Sequence, residues 1–206
     1  MGIPSKTTPM KPSPTAPTAT DAELLRQMHA GVASAFDALY RRHQGPLFRF
    51  CLLRSGSSEV AADVVQETFI GLLTGALRFD PLRGSLPNFL FGVGRKLLMK
   101  QERPFAQLVI DDDEDGDIED DLACAAPTPL QRLLNNEQAE QVRQALALLP
   151  PHQRDVLILY ELHERSYLDI AAICQLDIGT VRSRLSRGRA ALAKRLAAWR
   201  HALDAA

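Results

Sequence analysis

Cysteine is scarce in this chain, and the few cysteines form no recognisable pair. Among 206 residues there are three, Cys51, Cys124 and Cys174, with no CxxC among them. Scattered thiols in odd number are typical of a reducing compartment, and they argue against a disulfide framework or a cysteine zinc site. The five histidines show no ligand spacing either. We therefore expect free thiols and no metal site.

Long apolar runs are also missing. No segment approaches the roughly 18 apolar residues that a membrane-spanning helix needs. Residues 1–20 are rich in proline and threonine, lack the apolar core of a signal peptide, and are expected to form a disordered tail. We find no nucleophile–base set, phosphate-binding loop or metal-ligand cluster. The sequence thus predicts a cytoplasmic protein that is not an enzyme, has no cofactor and does not insert into a membrane.

The net charge of −1 conceals a strong segregation of charge along the chain. Residues 21–103 carry +3, residues 104–129 carry −9 and residues 130–206 carry +3. Nine of the eleven residues in 111–121 are acidic, and such a run stays extended through repulsion. It is either a plain spacer or a mimic of nucleic acid lying in a basic channel. The basic blocks on both sides of it indicate a polyanionic partner.

Apolar residues recur at spacings of three and four through both basic blocks, which is the period of amphipathic helices. We predict an all-α fold of two small helical domains, 21–103 and 130–206. An acidic flexible linker, 104–129, joins them, and the second domain contains a helix-turn-helix.

The clearest helix of the first block spans residues 59–75. Its buried stripe is predicted to be Val60, Val64, Val65, Thr68, Phe69, Leu72 and Leu73. Glu59, Asp63 and Glu67 lie four residues apart on the exposed edge, with Gln66 beside them. Like charges at this spacing destabilise a helix by a few tenths of a kcal/mol per pair. A cationic protein partner would offset that cost, and an ordinary solvated face is the alternative interpretation.

The end of the first block combines aromatic and basic residues. The turn RFDPLRG at 78–84 precedes Ser85, a plausible helix N-cap. Phe79, Phe89 and Phe91 are interleaved with bases here, and at least one of Phe89 and Phe91 is expected to be core. Aromatic faces beside a cationic track suit unstacked single-stranded bases, which contribute about 1 to 3 kcal/mol each.

Residues 149–195 have the pattern of a three-helix unit ending in a helix-turn-helix. The first helix follows Pro150-Pro151, since a proline suits a first helical turn. Ser166 is predicted to cap a short helix, 167–174, with Asp169 as its acidic partner. The inward residues of that helix are predicted to be Leu168, Ala171, Ala172 and Ile173. The connection Gln175–Asp177 has the length that joins the two helices of this motif.

The last helix is unusually basic on one side. Ile178, Val181 and Leu185 are predicted to face the core, followed by Leu192 and Leu196. Between Ile178 and Arg200 there are seven bases and no acid, so Arg182 and Arg189 have no acid one turn away to pair with. The positive face is therefore expected to meet a polyanion. Duplex DNA fits, since its major groove admits a helix and arginine reads guanine edges; a basic surface helix without a partner is the alternative.

These motifs, in this order, resemble the bacterial sigma factors of RNA polymerase of the extracytoplasmic-function (ECF) class. DVVQETF at 63–69 resembles the helix that binds the polymerase clamp, and FDPLRGSLPNFLFGVGRKL at 79–97 resembles the promoter-melting segment. LPPHQRDVLIL at 149–159 and IGTVRSRLSRGRAAL at 178–192 resemble the second-domain signature. The resemblance implies a factor that binds core polymerase and directs promoter recognition, DNA melting and transcription initiation.

The resemblance also implies roles for individual residues and partners. The residues expected to meet the clamp helices of the polymerase β′ subunit are Asp63, Gln66 and Glu67. Those expected to hold the non-template strand of the −10 element are Arg83, Asn88, Phe89, Arg95 and Lys96. Those expected at the −35 element are Thr180, Arg182, Ser183, Ser186 and Arg187 in the groove, with Arg184 and Arg189 towards phosphates or the β flap. The acidic linker is expected to thread towards the active-site and RNA-exit channels, and an anti-sigma factor is a further expected partner.

The chain departs from the family pattern at several positions. Phe89 stands where the family usually has Trp, and Lys96 stands where it has Asn. Gln175 replaces the glycine of the turn, so it must adopt a left-handed conformation or reshape the turn. Two other hypotheses stay open at this point: a helix-turn-helix regulator of the response-regulator type, and an adaptor that binds polymerase without reading DNA. Residues 21–103 show no strand alternation, which disfavours the first.

Overall fold

Helices build both parts of the chain that the structure, a computed structural model, describes: residues 19–102 and 137–204. These residues form eight α-helices and one 3₁₀ turn, with no strand among them, which confirms the all-α prediction. The predicted tail, except for Ala19 and Thr20, and the acidic linker lie outside the described residues. None of the described helices is both long and apolar enough to cross a membrane.

The first domain consists of four helices. They are α1 (Asp21–His29), α2 (Ala33–Ser55), α3 (Ser58–Leu73) and α4 (Leu86–Glu102), with the 3₁₀ turn (Pro81–Arg83) before α4. The Thr20 hydroxyl accepts from the backbone N–H of Glu23 at the start of α1, and the Ser57 hydroxyl does the same for Val60 in α3. Gly56 ends α2 with φ 74°, a left-handed conformation that glycine adopts without strain.

The core of this domain lies where α2, α3 and α4 meet. Leu47 and Cys51 from α2 and Val64 from α3 are buried there. Gly94 of α4 lies directly against them: a Cβ at this position would be 3.0 Å from Leu47 Cδ1 and 3.4 Å from Cys51 Sγ. Gly94 therefore allows the close approach of α4 to α2, which offsets its poor helix propensity.

The second domain contains the helix-turn-helix and two helices that precede it. Its helices are α5 (Glu137–Ala147), α6 (Pro151–Glu161), α7 (Tyr167–Cys174) and α8 (Ile178–Asp204). Ser166 and Asp169 form the predicted cap reciprocally, each side chain bonding the backbone N–H of the other. Gln175 ends α7 at φ 59° and ψ 52°, so the prediction of a left-handed residue at this turn is confirmed.

Three residues predicted to face the core of this domain lie on the surface. Leu168 is 68% exposed, Ala172 is exposed and Ile178 is 38% exposed. The buried side of α7 is Ile170, Ile173 and Cys174, so the prediction is confirmed for Ile173 and wrong for Leu168 and Ala172. A helix of only two turns offers several apolar stripes, and the predicted residues did not all lie on the buried one. The stripe at 170, 173 and 174 has the spacing of three and four that one helical face requires.

The two domains pack against each other through a buried ionic cluster. Arg54 of α2, 1% exposed, donates to Asp155 of α6 and to Glu102 at the end of α4. Arg95 of α4 donates from Nε to Asp155 Oδ2 at 2.8 Å. Arg154 Nη1 donates to the backbone carbonyl of Arg54 at 2.7 Å. Each buried charge thus has an opposite charge or a hydrogen-bond partner, without which burial would be prohibitive.

An aromatic contact continues this interdomain seam. His163, in the loop between α6 and α7, packs with ring centroids 4.7 Å from Phe91 of α4 and 6.2 Å from Phe50 of α2. Arg165 lies over the Phe91 ring at 5.7 Å. We define the seam as Arg54, Arg95, Glu102, Arg154, Asp155, His163 and the rings around His163. Sequence patterns predicted a flexible connection between the domains but gave no indication of this seam.

Candidate nucleic-acid interface

A cleft of about 440 Å³ lies between residues 78–96 of the first domain and α7. Phe79 and Phe89 form its aromatic wall, with ring centroids 5.4 Å apart. Arg83 and Lys96 line it as well. The Asp80 carboxylate accepts from the backbone N–H of Leu82 at 3.0 Å and holds the 3₁₀ turn in shape. An aromatic surface flanked by cations is equipped to stack an unpaired base and hold its phosphate.

Two residues predicted for single-strand binding already have partners across the interdomain seam. The Asn88 amide donates to Asp169 Oδ1 at 2.5 Å and accepts from Arg165 Nη1 at 3.4 Å. Hydrogen bonds from Ser166 first, and from Asn88, lower the pKa of the Asp169 carboxyl, so this acceptor is ionised at neutral pH. Arg95 is bound to Asp155. The cleft therefore brings together Arg83, Phe89 and Lys96, while the polar groups of Asn88 and Arg95 are engaged by the second domain.

The prediction that at least one of Phe89 and Phe91 is core is confirmed by Phe91, and Phe89 is only partly buried. Phe91 is buried against Phe50 with ring centroids 5.5 Å apart. Phe89 lines the cleft beside Phe79. Phe91 thus belongs to the core, and Phe89 belongs to the candidate binding surface.

The acidic edge of α3 is exposed as predicted. Glu59, Asp63, Gln66 and Glu67 all lie on the surface, while Val64, Val65, Thr68, Phe69 and Leu72 are buried. Leu73, predicted to be buried, is 50% exposed, because it lies one turn after Ile70 on the side of α3 that is equally exposed.

An apolar groove that sequence reasoning missed runs beside this edge. Tyr40 of α2 and Phe69 of α3 contact each other with ring centroids 4.9 Å apart, and Ile70 and Leu73 are exposed next to them. Gln66 belongs to the groove lining. The sequence did contain an indication of this groove: α3 has more apolar residues than one buried stripe can hold.

The basic face of α8 carries the residues predicted to read duplex DNA. Arg182 is exposed. The Ser183 hydroxyl donates to the Thr180 carbonyl at 3.1 Å and accepts from Arg187 Nη2 at 3.3 Å. Thr180, Ser183 and Arg187 therefore form one hydrogen-bonded group along the helix. Ser186 and Arg184 are partly exposed beside them.

The expectation that Arg189 lacks an internal acidic partner is wrong. Its Nε and Nη2 donate to Glu161 Oε1 of α6 at 2.8 and 2.7 Å. Its guanidinium also lies 5.0 Å above the ring of Tyr160. The prediction considered only neighbours along α8, and a partner from another helix cannot be seen in that way.

Two tyrosines connect Arg189 to Arg182. Tyr160 of α6 and Tyr167 of α7 stack with centroids 5.3 Å apart and planes 18° apart. The Arg182 guanidinium lies 5.9 Å from the centroid of the Tyr167 ring. We refer to Glu161, Arg189, Tyr160, Tyr167 and Arg182, in that order, as the arginine–tyrosine ladder. It was not predicted, since tyrosines on two helices give no shared periodic signal.

Metal chemistry has no visible basis in the described parts of the chain. In residues 19–102 and 137–204 no group of three or more histidine, cysteine, aspartate or glutamate side chains is placed to hold an ion.

Comparison with known proteins assigns the family. The family model described as Sigma-70 region 2 matches residues 39–102, and that described as Sigma-70, region 4 matches residues 139–192. The chain is 33% identical over 179 residues to the ECF RNA polymerase sigma factor SigM of Mycobacterium tuberculosis, covering 86% of this chain and 85% of that one. The chain belongs to the ECF sigma factors. EcfG of Rhodopseudomonas palustris is 36% identical over 143 residues, covering 69% of this chain and 75% of that one.

The fold of this ECF sigma factor is shared with solved structures. CnrH, in complex with the cytosolic domain of CnrY, aligns with a TM-score of 0.62 at 25% identity, covering 86% of this chain and 97% of that one. RpoE of Bartonella quintana, in complex with the anti-sigma factor NepR, aligns with a TM-score of 0.58 at 28% identity, covering 78% and 96%. As a sigma factor, the protein directs promoter recognition and transcription initiation, and it is a transcription initiation factor.

Proposed function

We propose that this ECF sigma factor binds core RNA polymerase through α3, captures the separated −10 strand in the cleft of the first domain, and reads the −35 duplex with α8. The observation that carries this proposal is the presence of two separate cationic surfaces, one flanked by aromatic rings and one on a helix-turn-helix. The first suits unpaired bases and the second suits a major groove. The factor has no catalytic chemistry of its own and acts in the cytoplasm, where the polymerase works.

The clamp contact is assigned to Asp63, Gln66 and Glu67. These side chains are exposed on one edge of α3, and the β′ clamp helices are the cationic partner that would offset the repulsion between them. The apolar groove beside Gln66 supports this assignment, since an exposed apolar patch bordered by charge is typical of a protein-binding surface.

The −10 strand is assigned to Arg83, Asn88, Phe89, Arg95 and Lys96. Phe89 supplies a ring for stacking, and Arg83 and Lys96 supply positive charge within the cleft. Asn88 and Arg95 join this set only after exchanging Asp169 and Asp155 for nucleic acid. Strand capture and separation of the two domains are therefore coupled in this proposal.

The −35 duplex is assigned to α8, with Thr180, Arg182, Ser183, Ser186 and Arg187 in the groove. Arg184 and Arg189 are assigned to phosphates or to the β flap. Bidentate contacts from arginine to guanine contribute about 1 to 3 kcal/mol of discrimination each. The pairing of Arg189 with Glu161 favours a role outside base reading for Arg189.

An anti-sigma factor is the proposed regulatory partner. The support is that the RpoE structure, with which this chain shares its fold, contains the anti-sigma factor NepR. Such a partner would suppress transcription from the promoters that this sigma factor selects.

Run-off transcription from a promoter library tests the proposal. Core polymerase supplemented with the purified chain is expected to start transcripts at a selected subset of sequences, while core polymerase alone does not. Binding to core polymerase without selective initiation would identify an adaptor instead. If the chain neither binds polymerase nor changes initiation, the proposal is wrong.

A further inference from the structure

The arginine–tyrosine ladder ends on the helix assigned to the −35 duplex. Its inner end is fixed, because Arg189 is held both by Glu161, through two hydrogen bonds, and by the ring of Tyr160. Its outer end is Arg182, whose guanidinium lies over Tyr167 and is exposed. The ladder therefore links a rigid anchor inside the domain to a side chain on the candidate DNA-binding surface.

An exposed arginine on a helix ordinarily samples many rotamers. Ordering such a long side chain on binding costs conformational entropy. A cation above an aromatic ring is attracted by the negative π-face, which restricts the guanidinium before DNA arrives. Tyr167 itself cannot move freely, because its ring is stacked on Tyr160. Its backbone is fixed as well, since it is the first residue of a helix capped by Ser166 and Asp169.

The electrostatic state of Tyr167 suits this task. Burial, followed by the neighbouring Tyr160, raises the pKa of the Tyr167 phenol. The ring therefore stays neutral over the physiological range, and its face remains attractive to a cation. An ionised phenol would form an ion pair instead and would draw the guanidinium to its oxygen.

We propose that Tyr167 is a positioning residue that orients Arg182 for base recognition in the −35 element, through a stack anchored by Tyr160, Arg189 and Glu161. The inference rests on the proposed role of Arg182 in reading DNA. It adds that the base preference associated with Arg182 depends on a ring that need not touch DNA. The ring face is the active feature, so phenylalanine can replace tyrosine here and an aliphatic residue cannot.

The test measures base preference with the complete chain bound to core polymerase. Promoters randomised in the −35 element are transcribed by holoenzyme containing the natural chain, Tyr167→Phe, Tyr167→Leu or Arg182→Ala. The −35 position whose preference Arg182→Ala removes is the position assigned to Arg182. At that position Tyr167→Leu is expected to reduce preference about two- to five-fold, the effect of an exposed cation–π contact, and Tyr167→Phe is expected to retain it. Leu168→Ala, at an exposed neighbour in the same helix, is the control and should change nothing.

A double-mutant cycle separates positioning from a general effect on folding. If Tyr167 acts through Arg182, then adding Tyr167→Leu to Arg182→Ala should cause no further loss of preference. A uniform loss of transcription at every promoter would identify Tyr167 as a structural residue and overturn the inference. Arg182→Lys provides a second check, because lysine keeps the charge but loses both the bidentate fork and the stacking on the ring; it should lose at least as much preference as Tyr167→Leu.

The two possible failures give different results. If Arg182→Ala removes a base preference and Tyr167→Leu does not, the positioning role is wrong and the −35 assignment stands. If Arg182→Ala leaves every −35 preference unchanged, the role proposed for Arg182 fails first, and the inference fails with it.

Discussion

Gln175 occupies a backbone conformation that suits glycine better. At φ 59° and ψ 52° its Cβ is close to the following carbonyl oxygen, which costs roughly 1 to 2 kcal/mol in an L-residue. Glycine avoids that strain but loses about 0.5 to 1 kcal/mol more through conformational entropy on folding. The balance favours glycine at this position.

We expect Gln175→Gly to raise the free energy of unfolding by about 0.5 to 1 kcal/mol, because the relieved strain exceeds the added entropy. Urea unfolding at neutral pH measures the difference. Gln175→Ala is the matched control, since alanine keeps the Cβ and should give no gain. Equal stability changes in the two variants would show that strain at φ 59° is not the cause.

The two described cysteines are structural. Cys51 and Cys174 are free, as the sequence predicted, and both are buried, while Cys124 lies outside the described residues. Burial raises the pKa of both buried thiols to about 12, so neither forms the reactive thiolate near neutral pH. Their contribution is to fill space, and for Cys51 that space borders Gly94.

At the scale of single helices, α3 presents opposite properties on two sides. Its buried side holds the first domain together, and its exposed side carries Asp63 and Glu67 beside an apolar groove. Glu67→Lys should therefore weaken binding to core polymerase at least ten-fold while leaving the helical content unchanged, because it reverses the charge on the surface only. Fluorescence anisotropy of the labelled chain titrated with core polymerase measures the affinity, and circular dichroism measures the fold.

Glu140→Lys is the matched control for that experiment. It makes the same change of charge on an exposed residue of α5, in the other domain. If both variants weaken binding equally, net charge rather than the α3 edge governs the association. If neither does, the clamp assignment is wrong.

Sequence reasoning located the helices well because their ends carry local chemical signals. The Ser166–Asp169 cap and the Ser85 turn bond within three residues, and Pro151 acts through its own fixed φ, so these effects are visible in a short window. The buried face of α7 was predicted only in part, since it depends on contacts with α4 and α8. Gly92 of α4 lies against the backbone of Ile173, and nothing near position 173 in the chain could have indicated that contact.

At the scale of the whole molecule, the seam joins residues about a hundred positions apart. Arg54 and Asp155 are charged, and a hydropathy pattern places charged residues on the surface. Their burial is possible only because each meets the other, so neither sequence segment alone predicts it. The same reasoning explains why Asn88 and Arg95 were predicted as free strand contacts and are found bound to carboxylates of the second domain.

The seam is expected to weaken in acid because of His163. Burial, reinforced by Arg49 of α2 and Arg165 of its own loop, lowers the pKa of His163 from 6.5 to about 4. The neutral form is therefore favoured in the packed state, so this contribution is complete above about pH 6.5 and is lost as the pH falls towards 4. At pH 5 the loss should be about 2 kcal/mol for full exposure of the imidazole. Urea unfolding at pH 7.5 and pH 5 measures it.

His163→Gln removes the titration and should flatten the dependence over this range. His29→Gln, at an exposed histidine of α1, is the control and should keep the dependence of the natural chain. Persistence of the full acid effect in His163→Gln would assign it to other groups, such as Asp169.

The bond between Arg189 and Glu161 has a consequence for ionic strength. Binding of basic residues to DNA releases condensed counterions, and log K falls with log salt by about 0.9 per phosphate neutralised. An arginine already neutralised by its own carboxylate adds little to that release. The affinity of α8 for DNA should therefore tolerate salt better than a count of its arginines suggests, and removing the carboxylate with Glu161→Gln should steepen the dependence by about one phosphate.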